Sequence, residues 1–313
     1  MTTTDITRAD STLPTVTQEA MLSDADLAAL RRAVQTLERP SLAARLSAAA
    51  GAPLDIIGRS LPAPVTEVVS RSTEAAMRGA LRVALATLPR TELAPATAGE
   101  ALGTATAKAE SRLTRLLGSG DAKHKAFAAL SGALGGAFGL STLAVELPVS
   151  TTLMLRSIAE IAREEGEDLE TPEGALACVQ VFALGGRAAA ATEAGAALTE
   201  SGYFAVRAAL AKTLAEAARY AGSKTLLDQS APALIRFTAQ IAARFGLVVS
   251  QKVAAQAVPI LGAFGGAAVN TAFMNHFQAT ARAHFTVRRL ERAYGAVAVR
   301  AAYEVEKAAL GIS

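Results

Sequence analysis

The sequence has one cysteine, no tryptophan and few aromatic residues of any kind. The single cysteine, Cys178, stands in a chain of 313 residues. That excludes a disulfide within the chain and a zinc site built from several cysteines. Cys178 lies in the apolar helical run "ALACVQVFALGG" and reads as a small core side chain. Aromatics make up only 4%, which argues against a transmembrane bundle with aromatic belts and against a protein that stacks nucleic-acid bases. Alternating apolar and polar runs are missing, so no strand is expected. The net charge of +3 is mild for this length and selects no partner by itself. Nucleic acid is not expected. Histidine is scarce too: His124, His276 and His284 are all there is. His276 and His284 are eight apart, roughly 80° around a helix, with no carboxylate between them, and HExxH does not occur. Gly-x-Ser-x-Gly and a phosphate-binding loop are absent as well. No metal and no cofactor are expected.

Alanine, leucine, arginine and glutamate are abundant, and they favour helix. The fold class expected is all-α, a multi-helix domain of roughly eight to ten helices with two central Gly-rich apolar helices. Residues 1–22 read as a disordered tail, without the apolar core of a secretory signal, and 23–313 as one α-helical domain. Ser23 caps a first helix, with Asp24 and Asp26 in its first turn. A longer helix is expected from about Pro64 to Leu88. Pro148 is expected to break the chain between a helix that begins near Asp121 and a returning helix from Ser150 to Arg163. Thr171, Pro172 and Glu173 supply a cap, a proline at the first helical position and an acid in the first turn. That helix should stop at Gly185-Gly186. The last helix covers "AVAVRAAYEVEKAAL".

Two segments share small residues at helical spacing: "GALGGAFG" (Gly132 to Gly139) and "GAFGGAAV" (Gly262 to Val269). Such ridges, with Gly135, Gly136, Gly265 and Gly266 at their centres, let helix backbones approach closely. The stretch from Phe127 to Val145 carries no charge and is about as long as the 20 residues a membrane span needs. Its glycines and alanines make insertion marginal. The run from Val253 to Asn275 contains Gln256, Pro259, Asn270 and Asn275, which makes a lone span less favourable still. Buried helices and membrane-inserted ones both remain open at this point. Glu146 is the sharp residue, because a carboxylate inside an apolar run is usually paired. Arg156, the nearest base downstream, is the candidate partner. With Asn270 and His276 these residues form the candidate pocket. In "ARAHFTVRRLERAYG", Val287, Leu290 and Tyr294 make an apolar face. Arg282, Arg288, Arg289 and Arg292 make a basic patch suited to lipid phosphates, with Glu291 able to pair with Arg288.

The blocks "ELPVSTT…RSIA" and "HFTVRRLERAYG", within a match running from about Ser41 to Gly295, resemble the EcsC family of bacterial proteins. The resemblance implies an α-helical domain with a membrane connection and a membrane transporter as a partner. It supplies no catalytic residues. The function expected is a non-enzymatic, membrane-associated protein that binds an apolar ligand, a lipid or a membrane partner. It would be cytoplasmic and peripheral to the inner membrane. The alternatives are a hydrolase using Glu146 or a histidine in a central cavity, and a soluble scaffold that forms a homo-oligomer through its glycine faces.

Overall fold

The computed structural model describes residues 22–38, 61–86, 143–185, 202–223, 231–257 and 266–311. Among them are eight α-helices and no strand: α1 (Asp24–Leu37), α2 (Ala63–Ala86), α3 (Leu143–Glu164), α4 (Pro172–Leu184), α5 (Tyr203–Ser223), α6 (Pro232–Ala257), α7 (Gly266–Tyr294) and α8 (Ala296–Ala309). Apart from Leu22, the expected N-terminal tail lies outside the described residues. So does the first glycine run, Gly132 to Gly139. The second glycine run is described only from Gly266.

Local signals place two of the eight described helix starts. The Ser23 hydroxyl accepts from the Asp26 amide at 3.2 Å, and the Thr171 hydroxyl accepts from the Gly174 amide at 3.1 Å. Each satisfies a backbone donor that the first helical turn leaves free. Gly174 holds a position where no side chain fits, because a Cβ would overlap the Asp168 carbonyl. Along α2 the buried positions are Val69, Ser72, Thr73, Ala76, Met77, Ala80, Leu81, Ala84 and Leu85. Their spacing of three and four residues is one helix face, and it packs on α3 and α6.

The centre of the described bundle is α4. From Gly174 to Leu184 every residue is buried, as expected of a short helix that carries no charge beyond Glu173. It touches α2, α3, α5, α6 and α7. Phe182 on α4 meets Phe245 on α6 and Phe277 on α7 at ring-centroid separations of 5.1 and 5.5 Å. Helix α6 is long and apolar enough to cross a membrane over Pro232–Gln256. In this fold it packs between α2, α4 and α5.

The chain does not break at Pro148. Helix α3 passes through it. An interior proline costs a helix roughly 3 kcal/mol, but this one lies in the second turn described. There the Ser150 and Thr152 hydroxyls donate to the Leu147 and Pro148 carbonyls, and Glu146, Leu147, Ser150 and Thr151 are all buried. Tertiary packing outweighs the local penalty. The continuous run expected from Val253 to Asn275 likewise divides between the end of α6 and the start of α7.

Helices α3 and α7 run side by side in the same direction. Contacts pair Glu146 with Asn270, Ser157 with Gln278, and Glu164 with Arg282. Helix α6 runs against them, so its C-terminal end meets the N-terminal ends of α3 and α7.

Candidate functional site

At that meeting point lies a polar node in apolar surroundings. The Lys252 ammonium on α6 is 2.9 Å from Glu146 Oε1 on α3, and the two side chains are only 1% and 7% exposed. Asn270 on α7 donates Nδ2 to the same carboxylate oxygen at 3.1 Å. The ammonium also lies 5.2 Å from the centre of the Phe273 ring, close enough for a cation–π contact. Leu147, Val253 and Val269, each next to a node residue in sequence, are buried. Taking a single ion out of water costs several kcal/mol, which is tolerable only when the counter-charge is present. Burial therefore pushes the Lys252 pKa below its usual range, and Glu146 opposes the shift. One turn further along α6, the Gln256 side-chain nitrogen is buried with no hydrogen-bond partner.

The three helix ends around this node share a second property. Upstream of α3, the sequence from Phe127 to Val145 has no charge. Between α6 and α7, the sequence from Val258 to Gly265 has none either. Val145, in the first turn of α3, is 70% exposed.

The structure thus joins Glu146 to Asn270, two residues expected to share a site. It corrects the partner: Lys252, not Arg156, neutralises Glu146. Arg156 is exposed and lies ten residues further along α3, roughly 15 Å at the helical rise. Gly135, Gly136 and Gly265 lie outside the described residues, and Gly266 begins α7. His276 stands apart from the node, with Nε2 3.0 Å from the Gly185 carbonyl at the end of α4. It is a hydrogen-bonding cap for α4. Cys178 is buried in α4, and burial pushes its thiol up to about 12, so it is an inert core group.

A second buried network lies near the other end of α7. His284 is fully buried, with Nδ1 2.7 Å from the Tyr203 hydroxyl. Arg207 donates to that hydroxyl at 3.3 Å and grips Glu291 with both terminal nitrogens at 2.7 and 2.9 Å. Since Tyr203 accepts from Arg207, its own proton goes to His284 Nδ1. The remaining proton of the neutral ring then sits on Nε2, which is buried without a partner. Burial, reinforced by Arg207 and Arg288, holds the His284 pKa well below its usual value. Fourteen residues separate His284 from Asn270, roughly 21 Å along α7. Glu146 and His284 therefore cannot act on one substrate group.

The basic patch is a clamp. Arg288 pairs with Glu167 at 2.5 Å, and Arg292 pairs with the same carboxylate. Arg289 bridges Glu165 and Asp26, both at 3.0 Å. Arg282 meets Glu164 at 3.1 Å on the surface. The acidic turn after α3 thus neutralises α7 from within the chain, and lipid phosphate would have to compete with those carboxylates. Glu291 serves Arg207 rather than Arg288. Burial raises the Glu167 pKa, but Arg288 and Arg292 outweigh it and hold the carboxyl below its usual range. Among the described residues, no group of three His, Cys, Asp or Glu side chains could hold a metal.

Sequence reasoning missed Lys252. Its signal was a lone base in "LVVSQKVAAQAV", the counterpart of the lone acid in the first apolar run. It also missed the Tyr203–Arg207–Glu291 set, which no local pattern marks. The model of the EcsC protein family matches this chain over residues 24–290. The chain matches no curated protein and no solved structure.

Proposed function

The chain belongs to the EcsC protein family, and from that premise we propose that it is a non-enzymatic helical protein that associates with the membrane and holds lipid or another apolar ligand. The reading places it on the cytoplasmic side of the inner membrane, peripheral to it, with the membrane surface as its partner. One observation carries the proposal. Three helix ends converge on a neutralised, buried acid–base pair, and the adjoining sequence on both sides is uncharged and apolar. A charge pair at the end of a bundle normally keeps contact with water. Here the pair is internally balanced, as suits an end that faces a medium of low dielectric constant. The carboxylate that a hydrolase would need is occupied by Lys252, and the buried histidine lies far along α7.

Flotation of the full chain with phosphatidylcholine and phosphatidylglycerol vesicles tests the proposal. Protein should rise with vesicles of either composition, because the contact is apolar rather than ionic, and 0.5 M salt should release little of it. Protein that stays wholly in the dense fraction at low salt would end the membrane reading.

A further inference from the structure

Donors at the node lack acceptors among the described residues, although Asn270 Oδ1 accepts no hydrogen bond either. An ammonium has three N–H groups. Lys252 directs one to Glu146 and lies over Phe273, so at least one N–H meets no acceptor among the described residues. Asn270 Nδ2 is already committed to Glu146. Gln256 Nε2 is buried and donates to no acceptor. Lys252 and Gln256 are four apart on α6, so they share one face of the helix, a turn apart. Gln256 is the outer of the two, toward the end of α6. A buried amide donor without an acceptor destabilises the fold unless something supplies the acceptor.

Charge narrows what that acceptor is. Glu146 and Lys252 already cancel. An anionic head would add an uncompensated negative charge beside a buried carboxylate. An uncharged acceptor carries no such penalty, and the neighbouring side chains are apolar. We infer that Lys252 and Gln256 together receive an uncharged carbonyl at the end of an apolar molecule, as in an ester of a fatty acid. Gln256 supplies the outer hydrogen bond and the Lys252 ammonium the inner one. The inference rests on the reading that this end of the bundle meets apolar material, and it adds the polar group that is recognised.

The ester has two sources: a free amphiphile, or a glycerolipid within a bilayer. The full chain is titrated calorimetrically with methyl decanoate, with decanoate at pH 7, and with undecane. Methyl decanoate should bind at one site, about tenfold more tightly than either of the others. A neutral hydrogen bond corresponds to roughly a 2- to 10-fold change in affinity. Gln256→Leu should therefore weaken methyl decanoate about fivefold, leave undecane unchanged, and raise the melting temperature of the ligand-free protein. Because this variant is expected to gain stability, misfolding does not confuse the readout. The second arm is flotation with vesicles of diester and of diether phosphatidylcholine, which differ only in the carbonyls. Preference for the diester assigns the carbonyl to a bilayer lipid. Methyl decanoate binding without that preference assigns it to a free amphiphile. Failure to float with either vesicle while methyl decanoate still binds sinks the membrane reading and leaves this inference standing. Equal affinity for ester and undecane, no binding of methyl decanoate, or an unchanged ester affinity in Gln256→Leu would overturn it.

Discussion

Replacing Glu146 by glutamine removes one charge and almost no volume, so the change isolates electrostatics. It leaves the Lys252 ammonium, 1% exposed, with no counter-charge. Breaking a buried pair at one partner typically costs about 3–5 kcal/mol. Lys252→Met keeps most of the stem and strands the carboxylate instead. It should cost about 3 kcal/mol, toward the lower end of that range, because Asn270 still donates to Glu146. The double variant leaves no buried charge and should lose only about 1 kcal/mol. The cycle is read by urea unfolding, followed by circular dichroism, with the slope checked for constancy across the four proteins. The pH dependence supplies an internal control. In Glu146→Gln the Lys252 pKa falls further below its unfolded value. Between those two values the unfolded chain binds more protons, so stability must rise with pH. The deficit of that variant should shrink as pH is raised toward 10. Additive single losses, or single losses under about 1 kcal/mol, would refute the buried-pair account.

Three more outcomes are expected. Stability should fall as pH drops below about 6.5, by as much as 1.4 kcal/mol per unit, because His284 stays neutral in the fold while the unfolded chain takes up a proton; His284→Gln should flatten that slope in urea titrations between pH 5 and 7. Gly174→Ala should lower the melting temperature sharply, since its Cβ would overlap the Asp168 carbonyl, whereas Gly79→Ala, in α2 with open space around it, should stabilise by about 0.5–1 kcal/mol. Arg288→Ala leaves Glu167 to Arg292 alone and should cost about 2 kcal/mol, measured by thermal unfolding; an unchanged melting temperature would return the arginines of α7 to the role of a free surface patch.

Helix placement was legible where local chemistry decides it. Ser23, Thr171 and Pro172 mark their helix starts because caps act within one turn. The three-and-four spacing of α2 shows its buried face for the same reason. Pro148 misled because its penalty is local, while the burial that overrides it comes from α2, α4 and α7. At the node, Glu146 and Asn270 stood out as polar residues in apolar runs. Lys252 is such a residue too, but the nearer Arg156 looked like the partner, and sequence distance says nothing about which helices adjoin. The arginines of α7 were visible as a stripe. That the turn from Glu164 to Glu167 folds back onto them depends on α3 and α7 running parallel, which no local pattern encodes.

The link between the first helix and the last two has a consequence for how the chain acquires its fold. Asp26 meets Arg289 and Tyr294 across 263 and 268 residues, and Arg31 meets Glu306 across 275. During synthesis at 5–20 residues per second, α1 therefore waits roughly 13–55 s for these partners. Throughout that interval Leu30, Val34 and Leu37, which are buried in the finished fold, have only earlier-made helices to lie against. Closure of so long a loop is entropically costly and slow. A chain stopped before α7 would leave α1 with an uncovered greasy face, the kind of surface chaperones grip, so ribosome-bound intermediates of this protein should be chaperone clients until α7 has emerged.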